Sequence, residues 1–102
     1  MKQFDVFENP AAPLREVAPF IVLLSSHLFL RLEEVIVAPV VHDGRLQPSE
    51  FDVGVTINGE RYVVSVIGMA AIRSSHLGRP RNSLIAHQDD IRRALDRLFT
   101  GF

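Results

Sequence analysis

The sequence predicts a small, mainly β protein, an antiparallel barrel or curled sheet of about five or six short strands with one helix packed on it at the C-terminal end. Three observations predict it. Val53, Val55 and Ile57 alternate up to Asn58-Gly59, and Arg61 to Val66 alternates away again. This is the pattern of a hairpin closed by a two-residue type I′ turn, whose positive φ values Asn and Gly adopt most readily. Other runs rich in Val and Ile are short and broken by Pro or Gly, as strands of a small sheet are. From Asn82 or Ser83 onward the apolar spacing becomes helical.

In chain order, Phe4 to Phe7 alternates and runs into Asn9-Pro10-Ala11-Ala12-Pro13, which predicts a strand and then a loop. Phe20 to Leu24, preceded by Pro19, is continuously bulky or β-branched and suits a strand buried on both faces. His27 to Glu34 fits neither period, because Leu28, Phe29, Leu30 and Leu32 crowd together. It is expected to be a loop or distorted turn with exposed apolar groups. Val35 to Val41 reads as a strand ending at His42-Asp43-Gly44. Gly68, Gly78 and Pro80 divide the next stretch, leaving one brief strand around Ala71 to Ser75. In the helix, Leu84, Ile91, Ala94, Leu95 and Leu98 share a face, acids precede bases, and Gly101 stands at the place of a left-handed cap. Asp89 with Arg93, and Arg92 with Asp96, are spaced to pair along the exposed side.

A chain of 102 residues allows one domain, residues 1–102, with a single modest core. Its apolar fraction of 47% and charged fraction of 23% are those of a globular protein. The formal charge of -1 offers no general basic surface for nucleic acid. Cysteine is absent, so thiolate chemistry and disulfides are excluded and a reducing compartment is consistent. The longest apolar run, Ala18 to Leu24, is too short to span a bilayer, and the N-terminus lacks the apolar stretch of a secretion signal. The cytoplasm is the expected location.

No catalytic constellation stands out. His27, His42, His76 and His87 lie at no ligand spacing and read as surface or capping residues. Ser25, Ser26, Ser74, Ser75 and Ser83 lack an elbow of glycines and a partner base. The pairs Glu33-Glu34 and Asp89-Asp90 are adjacent, which points the carboxylates apart on a strand or helix. No glycine-rich phosphate loop is present, and no cofactor or metal is expected. Folding alone leaves one feature unexplained, the tail Leu98-Phe99-Thr100-Gly101-Phe102. Two aromatics at a chain end serve either self-packing, a dimer seam or a partner anchor.

Four segments together, in order and at this total length, resemble the CcdB family of bacterial toxins. They are Gln3-Phe4-Asp5-Val6-Phe7, Val35-Ile36-Val37-Ala38-Pro39, Met69-Ala70, and Asp90-Ile91 through Leu98-Phe99-Thr100-Gly101-Phe102. The resemblance implies the SH3-like antiparallel barrel with C-terminal helix of CcdB and MazF toxins, and a cytoplasmic homodimer. It implies a non-catalytic toxin of a type II toxin-antitoxin module, active in plasmid maintenance, that binds DNA gyrase A and traps the cleaved gyrase-DNA complex. A CcdA-like antitoxin would neutralise it, and DNA would be met only through that complex. Carried over by position, gyrase contacts fall on Leu28, Phe29, Asp96, Thr100, Gly101 and Phe102. Antitoxin contacts fall on Ser26, Leu28, Phe29, Asp96, Phe99, Thr100 and Gly101, and dimer contacts on Met69, Leu98, Phe99 and Phe102. The best-known members end in Trp-Gly-Ile where this chain has Thr100-Gly101-Phe102, and many carry a proline near the position of Arg73. The alternatives are a non-toxic or retargeted binding module and a MazF-like endoribonuclease.

Overall fold

A computed structural model describes residues 1–26, 33–44 and 49–101. The described chain forms β1 (Asp5–Glu8), β2 (Phe20–Leu23), β3 (Glu34–His42), β4 (Asp52–Ile57), β5 (Glu60–Ser65), β6 (Ala70–Arg73), β7 (Asn82–Ser83) and helix α1 (Gln88–Thr100). The strands make one curled antiparallel sheet in the order β4-β5-β3-β2-β1-β7, with β6 also paired to β3. The expected class, a curled antiparallel sheet bearing a terminal helix, is the one observed.

Strand β3 is the hinge of this topology. Its N-terminal part pairs with β6 through Glu34 to Val37, and its C-terminal part pairs with β5 through Val40 to His42. Pro39 sits between the two pairings, where its missing N–H costs no ladder bond on that side. The short 3-10 turn Val66–Gly68 carries the chain from β5 to β6 across this gap. A Cβ on Gly68 would lie 3.0 Å from the Pro39 ring, so any larger residue here requires that ring to give way.

The Asn-Gly hairpin forms as the dipeptide requires. Asn58 has φ 51°, Gly59 has φ 81°, and Ile57 faces Glu60 across a two-residue turn. Alternation divides the sheet's apolar residues between two faces. Phe4, Val6, Val22, Ala38, Val40, Val55 and Val64 form the main core with Ile91 and Ala94 of α1. Phe7, Ile21, Leu23, Val35 and Val37 form a second cluster, with Ile72 and Leu77 against it.

Three sequence expectations need correction. The helix begins at Gln88, not at Asn82 or Ser83, because Asn82 and Ser83 pair with Val6 and Asp5 as strand β7 and a 3-10 turn, Ile85–His87, follows. Leu84 fits the helical stripe by number but is buried outside the helix, its N–H donating to the Phe4 carbonyl at 2.8 Å. The expected pairs of the helix surface also change. Arg93 reaches Asp90 at 3.4 Å rather than Asp89, and Arg92 turns away from Asp96 to lie over the Phe4 ring. Of the segment 27–34, residues 27–32 lie outside the described residues, while Glu34 already belongs to β3.

Candidate functional site

Helix α1 places the C-terminal candidates. Ile91 is fully buried, Ala94 is buried, and Leu95 and Leu98 pack partly buried against the main core. One residue further, a rotation of about 100° carries the side chain off that stripe. Phe99 is accordingly 70% exposed. Fully burying such a side chain is worth about 1.5–3 kcal/mol, so this ring is a latent anchor.

The end of the helix is well formed up to its cap. The Thr100 hydroxyl donates to the Asp96 carbonyl at 2.6 Å. Gly101, at φ 77°, adopts the left-handed conformation, and its N–H donates to the Arg97 carbonyl at 3.0 Å. These bonds satisfy carbonyls that a helix end otherwise leaves open. Thr100 and Gly101 are both exposed, as is Asp96, whose carboxylate joins no ion pair among the described residues. The tail therefore presents an aromatic ring, a carboxylate and a glycine cap on one regular support.

The proposed dimer positions divide. Met69 and Leu98 are partly buried and pack on the same core, whereas Phe99 faces solvent. Ser26 is half-buried just beyond β2, next to Ser25, whose Oγ accepts the Ile36 N–H at 2.6 Å. Leu28, Phe29 and Phe102 lie outside the described residues.

Two features escaped the sequence. Ile67, in the turn that packs on α1, is 61% exposed, and no periodicity marks it. An aromatic group joins three strands: His42 stacks on Tyr62 at 5.3 Å and Phe20 meets Tyr62 edge-on at 5.6 Å. Burial first, then the hydrogen bond donated to Glu60 and that carboxylate's charge, raise the Tyr62 hydroxyl above its ordinary pKa. Alternation could have placed His42 and Tyr62 on one face, but not opposite each other. His87 occupies the position before α1, yet its side chain makes no capping bond. Among the described residues no cluster of His, Cys, Asp and Glu is arranged to hold a metal ion, and no helix is long and apolar enough to cross a membrane.

The family model described as CcdB protein matches residues 3–101. No curated protein sequence matches the chain. Among solved structures the chain is similar to a crystal structure of an Mtb toxin, at 24% identity and a TM-score of 0.69 over 82% of this chain and 97% of that one. It is similar to the Mycobacterium tuberculosis toxin MazF-mt6 at 21% identity and a TM-score of 0.67, over 82% of this chain and 93% of that one. A third likeness is to an endoribonuclease in complex with its cognate antitoxin from mycobacterial species, at 11% identity and a TM-score of 0.69, over 94% of this chain and 91% of that one. At these identities the likeness is one of fold.

Proposed function

The chain belongs to the CcdB family, and from this premise we propose that it is the toxin of a toxin-antitoxin pair, acting in the cytoplasm by binding rather than by catalysis. Its target is DNA gyrase A, held in the cleaved complex with DNA, and a CcdA-like antitoxin reverses the grip. The active form is a homodimer in which Met69, Leu98 and Phe99 adjoin the two-fold axis.

The family match over nearly the whole chain carries this reading. The exposed end of α1 supports it in detail, because a large apolar ring held outward on a capped helix suits a partner's pocket better than it suits water. In this reading Phe99 serves the antitoxin contact and the dimer seam, while Thr100 offers gyrase A less contact area than the tryptophan of the best-known members.

The test is a supercoiling and cleavage reaction with purified gyrase and the intact protein. Accumulation of the protein-linked, cleaved DNA, reversed by the cognate antitoxin, is expected. Antitoxin binding with no cleavage complex and no binding to gyrase A would instead select a retargeted or non-toxic module. RNA incubated with the pure protein is expected to stay intact, and specific cleavage would identify an endoribonuclease.

A further inference from the structure

At the opposite end of α1 from the tail lies a cavity of about 550 Å³ whose wall includes Lys2, Asp5, Ser83, Ile85, Gln88 and Arg92. The chain builds it through an unusual turn. Phe4 has φ 71°, which bulky residues rarely adopt, and the strain is offset by two bonds, Phe4 N–H to the Leu23 carbonyl at 2.7 Å and Leu84 N–H to the Phe4 carbonyl at 2.8 Å. The turn buries the Phe4 ring, leaves Lys2 exposed and holds Asp5 half-buried.

The Arg92 guanidinium lies over that ring at 5.4 Å from its centroid. At this cation–π distance the ring face holds the cation in place without consuming any of its N–H donors. None of the ion pairs among the described residues involves Arg92 or Lys2. Ile85, 52% exposed, adds an apolar wall beside these two cations.

We propose that this cavity binds one carboxylate side chain of an acidic peptide segment, with Arg92 as the planar anchor, Lys2 as the second cation and Ile85 against the peptide's neighbouring apolar group. A polyanion fits less well. Only two cations line the cavity, Asp5 shares it, and Asp89 and Asp90 follow Gln88 on the helix, so a chain of phosphates would meet repulsion on both sides. Strand addition at the adjoining edge of β7 is also disfavoured. The Ser83 N–H is already taken by Asn82 Oδ1 at 2.7 Å, and the Ile85 N–H by Ser83 Oγ at 3.2 Å. Recognition is left to side chains.

The experiment titrates the ¹⁵N-labelled intact chain with acetyl-Glu-Leu-amide and, separately, with acetyl-Gln-Leu-amide and inorganic phosphate. The glutamate dipeptide is expected to shift the Arg92 Nε–H and the Ser83 and Gln88 amides saturably, and Arg92→Gln to weaken it about tenfold or more. Lys2→Gln, which leaves the Phe4 stack in place, is expected to weaken it severalfold. Equal response to the glutamine dipeptide, tighter binding of phosphate, or unchanged binding in both variants would overturn the proposal. Neither gyrase nor an antitoxin enters this measurement, so its failure leaves the toxin reading untouched.

Discussion

The two ends of α1 are built on opposite plans. At the N-terminal end the helix surface is polar and tied down: Arg92 covers the buried Phe4 ring, and Arg93 pairs with Asp90 at 3.4 Å. At the C-terminal end the last full turn carries Phe99 into solvent, with no charged neighbour paired over it among the described residues. The middle of the helix, through Ile91 and Ala94, holds both ends to the sheet. Burial along one stripe thus supports two unlike surfaces, an ionic one at the start of the helix and an apolar one at its end.

Loss of the shared anchor should damage both surfaces most. Ile91→Ala is expected to cost about 2–5 kcal/mol, because the site is fully buried and the sheet beneath it cannot collapse into the space. Urea unfolding followed by circular dichroism measures it, and both ends should lose function together. Phe99→Ala should separate them. The folding stability of the protomer is expected to stay within about 0.5 kcal/mol of the parent, while affinity for the antitoxin falls by about 2 kcal/mol, roughly 30-fold, in a calorimetric titration. Unchanged affinity would move the anchor elsewhere on the molecule.

Substitutions confined to one end act more gently. Gly101→Ala forces a side chain into φ 77° and should destabilise the helix end by about 1 kcal/mol, visible as faster amide exchange over the last turn. Arg92→Gln should cost about 0.5–1 kcal/mol through loss of the stack on Phe4, with the tail's amide signals unmoved. A control on the sheet comes last. Because Tyr62 is raised above its ordinary 10.0 in the fold, its neutral form contributes stability that is complete below about pH 10 and is lost as pH rises through the raised value. Alkaline unfolding curves of Tyr62→Phe should lack that decline.

Parts of the site were legible in the chain because they depend on neighbours in sequence. The amphipathic stripe around Ile91, Ala94 and Leu98 identifies the helix, and Gly101 identifies its end through the conformation only glycine adopts easily. The start of that helix was not legible. Asn82 to Ser83 carry no strand signal of their own, and only the unpaired edge of β1 at Asp5 and Val6 makes them a strand. The partners of Arg92 and Arg93 were equally hidden, since spacing pairs them with Asp96 and Asp89 and gives no sign of the Phe4 ring, which approaches from the other end of the chain.

Local sequence was enough to set the mainly β class, the Asn58-Gly59 hairpin, the terminal helix and the apolar character of its end, all of them consequences of local conformational preference and periodic burial. Which side chains face outward, and what lies beside them, was settled by tertiary packing. Phe99 and Leu98 are adjacent and chemically alike, yet one is exposed and the other packs on the core, because the sheet covers a single stripe of the helix. Phe4 and Arg92 meet for the same kind of reason: the sheet brings β1 and β7 together, and long-range pairing of that sort leaves no mark on either segment alone.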